Sequence, residues 1–250
     1  MTLREAQMAL PLAFAPRRFD TAVVPAPSNE AARAWLGRTA DWPQRRLALW
    51  GPAGAGKSSL LRDWAGRHGA VVLSGRALPP EPGAPMALAI DDAAAAPERV
   101  LLHLLNAAQE AGFPALLADA LPPARWAVAL PDLASRLRAI TAVPIGEPED
   151  DLLRGLLARL LAARQLRVPG ATLDWLVARL PRTHAAAIGA VARLDAAAQA
   201  SGTAISPALA RQVLPDLRGE DVFDDPAVAA FHDADAFVTE ASQERPGGLL

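Results

Sequence analysis

Residues 51–58 read Gly51-Pro52-Ala53-Gly54-Ala55-Gly56-Lys57-Ser58, and no other stretch constrains this chain so tightly. The spacing G-x-x-x-x-G-K-S is the phosphate-binding P-loop pattern, which needs a strand before it and a helix after it. Both are legible. Arg46-Leu47-Ala48-Leu49-Trp50 is a short apolar run, a candidate buried strand, and Ser58 to His68 carries Leu60, Leu61, Trp64 and Ala65 on one helical face. Glycines let backbone N–H groups close round a phosphate with no Cβ in the way. The helix N-terminus adds its dipole. Lys57 can reach the β- and γ-phosphates, and the Ser58 hydroxyl can ligate Mg²⁺. The alternative is a chance glycine-rich turn, and the flanking strand and helix weigh against it. With Ser59 next in line, these residues predict a site for a nucleoside di- or triphosphate, ADP or ATP.

The remaining composition narrows the classes. At 250 residues and 52% hydrophobic, mostly Ala and Leu, the chain has room for one large domain or two small ones. It has no cysteine, which excludes disulfides and thiolate metal sites and fits a cytoplasmic protein. No apolar run reaches membrane-spanning length, and the N-terminus lacks a signal peptide's apolar block, so no membrane partner is expected. His68, His103, His184 and His232 are scattered without the spacing of metal ligands. Residues 216–250 hold nine Asp or Glu and two Arg, a net −7 against −2 for the whole chain, which leaves the body near +5. A mildly basic body with an acidic tail argues against an independent DNA binder, so contact with DNA is expected only indirectly.

The chain divides into four parts. Residues 1–16 read as an extended segment, because Pro11 and Pro16 discourage helix. Leu10, Leu12 and Phe14 could anchor it in a partner's pocket with Gln7 as a polar hook, or pack it on its own domain; residue chemistry leaves the two even. Residues 17–147 read as an α/β domain. A helix is expected over Glu30 to Arg38, capped by Ser28 or Asn29 and ended by Asp41-Trp42-Pro43. Strands are expected at 46–50, 70–74, 86–90, 114–118 and 140–145. All are apolar runs without alternation, as in a parallel sheet covered on both faces. Helices are expected at 58–68, 97–112 and 131–138, and a short Pro-rich loop at 75–85. Residues 148–215 change to helix only. Leu152, Leu153, Leu156, Leu157, Leu160 and Leu161 stripe one helix, and three more follow over 171–180, 183–200 and from Ser206-Pro207 to near Leu214. Residues 216–250 read as an acidic, mostly disordered tail.

Further candidates lie where the strands end. Met86-Ala87-Leu88-Ala89-Ile90-Asp91-Asp92 is an apolar strand closing on two carboxylates. Asp91 at such an end would hold Mg²⁺ beside the phosphates, and Asp92 would orient an attacking water. Asp92 is one methylene shorter than a Glu, which predicts slow turnover. Asp119 ends the next strand and would face the same edge. Arg136, on a helix, could act as an arginine finger on a neighbouring subunit's phosphates, and Arg182 could fold back over a bound nucleotide. The bland alternatives are an acidic turn, a cap and two solvated arginines.

Together these pieces resemble the AAA+ module of the bacterial replication initiator family DnaA, over residues 17–214. Arg18-Phe19-Asp20-Thr21-Ala22-Val23-Val24 with Ser28-Asn29 resembles the family's segment before the P-loop, which implies that Val23, Val24 and Asn29 line an adenine pocket. Leu117-Ala118-Asp119 resembles its sensor I segment, Pro131 to Leu137 the box that carries the arginine finger at Arg136, and Pro181-Arg182 its sensor II arginine. The resemblance implies a P-loop AAA+ domain with a five-stranded parallel sheet and a small all-helical lid. Gln7 to Leu12 looks like the Gln-x-x-Leu-Pro-Leu peptide that binds the DNA polymerase sliding clamp, which makes Gln7, Leu10, Pro11, Leu12 and Phe14 the expected clamp contacts. A DnaA-like module with that peptide and no DNA-binding domain resembles the Hda-type regulators, which act on DnaA from the DNA-loaded clamp. The resemblance thus implies the clamp and DnaA as partners at the replisome, with homodimerisation left open. The chain departs from the pattern at Ala118, where a small hydroxyl residue is usual, and over residues 216–250, which have no counterpart.

Other readings stay open at this level: a helicase-loading or remodelling AAA+ ATPase, a small-molecule P-loop kinase, or a clamp-bound scaffold without hydrolysis. Substantial intrinsic turnover favours the first, a phosphoacceptor pocket the second, and failure to bind nucleotide the third.

Overall fold

A computed structural model of the protein describes residues 23–78 and 86–214. The expected clamp contacts Gln7, Leu10, Pro11, Leu12 and Phe14, most of the 75–85 loop and the acidic tail lie outside the described residues. Five parallel strands form one sheet in the order β2-β3-β4-β1-β5: β1 Arg46–Trp50, β2 Val71–Ser74, β3 Leu88–Asp91, β4 Ala115–Asp119 and β5 Thr141–Pro144. Each strand falls on an expected run, with ends shifted by a residue or two. Register brings Trp50 opposite Asp119 and Pro144, and Ser74 opposite Asp91, so the three C-terminal strand ends that carry candidates, those of β1, β3 and β4, share one edge.

Both faces of the sheet are covered, which explains the unbroken apolar runs. Leu47 and Leu49 of β1, with Leu116 and Ala118 of β4, face α1 (Glu30–Leu36) and α2 (Lys57–His68). Ala48, Ala115 and Leu117 face α3 (Glu98–Glu110) and α4 (Pro131–Arg138). The amphipathic face of α2 buries Leu60, Leu61 and Trp64, with Trp64 stacked between Trp42 (centroids 5.1 Å apart) and His68 (4.9 Å). Each leucine so buried contributes about 1.5–3 kcal/mol.

Two expectations are corrected. β2 does alternate between half-buried and exposed residues, because it is an edge strand; Val72 is 45% exposed. The helix after Asn29 stops at Leu36, and the chain continues through short 3₁₀ turns at Thr39–Asp41 and Pro43–Arg45. Asn29 occupies the N-cap position but makes no capping hydrogen bond.

After β5 come α5 (Asp150–Ala163), α6 (Gly170–Val177), α7 (His184–Ser201) and α8 (Pro207–Val213). They share a separate core of Leu153, Leu157, Leu161, Leu176, Val191 and Leu194 with smaller neighbours. Thr183 and Ser206 cap α7 and α8 by accepting from the N–H groups of Ala186 and Leu209. Among the described residues, no helix is long and apolar enough to cross a membrane.

Candidate functional site

The P-loop runs from the end of β1 to the start of α2, as the motif requires. Gly51 passes so close to the chain beyond β5 that a Cβ there would lie 2.3 Å from the Ile145 carbonyl oxygen. Lys57 Nζ donates to the carbonyls of Gly51 (2.8 Å) and Pro52 (2.7 Å). Burial pushes the Lys57 pKa down, and the charges of Asp91, Asp119 and Asp92 partly offset that. The ammonium therefore senses all three strand-end carboxylates.

These carboxylates are not equivalent. Asp91, half-buried at the end of β3, accepts from the Asp92 N–H at 3.2 Å. Asp92 sits in the left-handed region (φ 49°), which Asp tolerates better than most residues. Its Oδ2 accepts from Arg76 Nε at 2.8 Å, and this bond, with the Asp92 charge, raises the Arg76 pKa. The Asp119 oxygens accept from the N–H groups of Ala94 (2.7 Å) and Ala120 (2.6 Å). Asp119 thus ties the turn after β3 to the end of β4.

Beside the P-loop lies a cavity of about 360 Å³ between the first turns of α2 and one face of α5. Val23, Val24 and Asn29 line it together with Gly54, Ala55, Gly56 and Ser59, with α5 and with the start of α7, so four stretches far apart in sequence meet there. Asn29 is 5% exposed, and its amide is spent on backbone: Nδ2 donates to Val24 O (2.9 Å) and Oδ1 accepts from Ala26 N (3.1 Å). Asn29 therefore shapes the Val24–Ala26 wall, which is also why it does not cap α1.

The link from β5 to α5 joins the P-loop, the segment before α1 and the cavity: Ile145 abuts Gly51, Gly146 and Glu149 bond Ser28, and Pro148 lines the cavity. Gly146 N–H donates to Ser28 O at 3.0 Å. The Glu149 carboxylate accepts from both the N–H and the hydroxyl of Ser28, each at 2.8 Å. Burial works to raise the Glu149 pKa, but hydrogen bonds from its own backbone and from Ser28 outweigh it and hold the pKa below the usual carboxylate value. Arg182 faces away from the cavity: Nη2 pairs with Asp150 Oδ1 at 2.7 Å, over a neighbouring recess of about 460 Å³.

Arg136 is remote. It pairs with Asp132 one turn back on α4 (3.1 Å), and its charge depresses the pKa of Arg46, secondary to burial of that side chain. α4 ends at Arg138, and Thr141, the first residue of β5, pairs with Leu47 near the start of β1, so Arg136 lies toward the sheet edge opposite the one that carries the P-loop.

The structure also brings in groups that sequence reading passed over. Thr183 and His184 at the start of α7 line the cavity, and His184 N–H donates to Gly54 O at 3.3 Å. Leu152, Leu156 and Leu160 line it too, while Leu157 and Leu161 fill the bundle core and Leu153 does both. The signal was present: a leucine stripe two residues wide has two surfaces to cover.

No protein family and no curated protein matches the chain. Solved structures do. Domain III of the Thermotoga maritima replication initiation protein DnaA aligns with a TM-score of 0.66 at 17% identity, over 80% of this chain and 95% of that one. A replication initiator DnaA bound to AMPPCP and single-stranded DNA aligns at 0.55 and 14%, over 72% of this chain and 65% of that one. The Thermotoga maritima RuvB Holliday junction branch migration motor aligns at 0.57 and 18%, over 84% and 82%. With the parallel sheet and P-loop, these similarities show an α/β P-loop AAA+ fold of DnaA-like form.

Proposed function

We propose that this protein is a nucleotide-binding regulator of DNA replication initiation, of the Hda type, which binds the DNA-loaded sliding clamp and stimulates hydrolysis of ATP held by DnaA. The observation that carries the reading is the separation within one subunit of a phosphate-binding edge from the arginine assigned as the finger. Arg136 lies near the C-terminal end of α4, toward the sheet edge opposite the P-loop, which supports a role on a neighbour's phosphates rather than on its own.

The roles follow from the residues. Val23, Val24 and the α5 leucines enclose the base, while Asn29 holds their wall in shape. Gly51 to Ser59 wrap the phosphates of ADP or ATP, and Lys57 exchanges its two carbonyl partners for phosphate oxygens. Mg²⁺ fits the donors present: Ser58 Oγ and the Asp91 carboxylate are hard oxygen ligands, and Mg²⁺ takes few protein ligands when phosphates and water supply the rest. When bound, the ion neutralises phosphate charge. Asp92, held by Arg76, is a restrained water-orienting group, which supports slow intrinsic turnover. Across an AAA+ interface, Arg136 releases Asp132 and stabilises charge on the partner's γ-phosphate, an effect of ~10³–10⁵-fold in rate. The segment Gln7 to Leu12 tethers the protein to the clamp and raises its local concentration near DNA to about millimolar. This chain then contacts DNA only through the clamp.

The test is ATP hydrolysis by the cognate DnaA, with the clamp loaded on DNA, in the presence and absence of this protein. Stimulation is expected, and is lost in both the Leu10→Ala/Leu12→Ala and the Arg136→Ala variants. Clamp binding without stimulation would replace this reading by that of a helicase-loading or remodelling ATPase if intrinsic turnover is substantial, and by a scaffold if nucleotide does not bind.

A further inference from the structure

Arg182 is held by the segment that leads into α5. Nη2 lies 2.7 Å from Asp150 Oδ1, and Nη1 donates to Pro148 O at 3.4 Å. The pair is open to solvent, with side chains 49% and 61% exposed. It is also close to the candidate nucleotide cavity. Pro148 lines both the acidic recess and the cavity, and His184, two residues after Arg182, touches the P-loop. A guanidinium binds a carboxylate and a phosphate through the same planar fork, so the two compete for it directly. Glu147, Glu149, Asp150 and Asp151 all line the recess with Arg182; Glu149 is engaged by Ser28, and the ion pair of Arg182 is with Asp150, which makes Asp150 the competitor in contact.

We propose that Asp150 is a specificity-determining residue of the nucleotide site: it keeps Arg182 outside the cavity with a diphosphate bound and yields it to the terminal phosphate of a triphosphate. Asp150 thereby lowers the preference for triphosphate over diphosphate. It also couples the exchange to structure, because Arg182 on Asp150 ties the residues entering α7 to the first turn of α5, and Arg182 on phosphate releases that tie. The inference rests on the nucleotide-binding reading and adds the group that sets its selectivity. An exposed ion pair is a weak competitor, so the expected effect is roughly two- to five-fold.

The experiment is calorimetric titration of the full chain with ADP and with AMPPCP, for the parent and for Asp150→Asn, Arg182→Ala and the double variant. Asp150→Asn is expected to tighten AMPPCP by two- to five-fold with ADP unmoved, and to do nothing in the Arg182→Ala background. Equal tightening of both nucleotides means a general charge effect and overturns the proposal, as does an effect that survives in the Arg182→Ala background. If the parent binds neither nucleotide, the nucleotide reading itself falls, which is a different result from binding without selectivity.

Discussion

A Cβ built on Gly54 would lie 2.4 Å from the Cβ of Thr183, closer than side chains approach one another. The P-loop and the start of α7 are thus in backbone contact, reinforced by the bond from His184 N–H to Gly54 O. The α7 N-terminus and the phosphate loop cannot move independently while that contact holds. Gly54 also has φ +76°, where an L-residue is strained by about 1–2 kcal/mol. We expect Gly54→Ala to lower the melting temperature and to weaken ADP binding at least ten-fold. Adding Thr183→Gly removes the two closest clashes, with Cβ and Cγ2, and leaves the Thr183 Cα at 3.0 Å and the backbone strain, so it restores part of the loss. Calorimetric titration and thermal unfolding of the two variants read both effects.

Lys57→Ala removes a charged donor that now bonds two loop carbonyls and would bond phosphate instead. Charged hydrogen bonds contribute about 1.5–3 kcal/mol, so ADP affinity falls by about ten- to a hundred-fold. Far-ultraviolet circular dichroism is expected to stay unchanged, since the buried face of α2 rests on Leu60, Leu61 and Trp64 rather than on Lys57.

Leu156 lines the cavity while its neighbour Leu157 is fully buried in the helical core. Their substitutions should separate function from stability. Leu156→Trp fills the cavity and reduces nucleotide affinity with little change in melting temperature. Leu157→Ala opens a hole in the α5–α8 core and destabilises it by about 2–5 kcal/mol. Both are checked by titration beside denaturant unfolding.

Glu149 links α5 to the segment before the P-loop, and its folded pKa is depressed. A group of that kind contributes stability above its unfolded pKa, and the contribution is lost as pH falls through the folded value. At pH 7 we expect Glu149→Gln to be less stable than the parent by on the order of 1 kcal/mol. The difference should shrink as pH drops below 4.5, the ordinary value for this carboxyl, because the parent then loses the same charge. Paired melting curves from pH 7 to pH 3 measure it. A difference that does not vary with pH would count against the charge of Glu149 as the source.

Much of the fold was legible because its signals are local. The P-loop spacing required a strand and a helix around residues 51–58, and β1 and α2 stand there. Apolar runs marked the central strands, since a strand covered on both faces shows no alternation. That reasoning misjudged β2, where edge position decides burial, and edge position is a property of strand order that no local window contains. Asn29 carried the composition of a helix cap; only the folded loop shows that Val24 and Ala26 claim its amide first.

By itself, then, the sequence determined which residues can hold phosphate and which segments must be buried, because backbone conformation and hydrophobic periodicity act over a few residues. The tertiary structure decided which groups face one another. It set Thr183 on Gly54, Ser28 on Glu149 and Arg182 on Asp150, and it put Arg136 toward the sheet edge opposite the P-loop. Those pairings depend on strand order and on how the helical bundle seats against the P-loop, which are set by packing the whole chain at once.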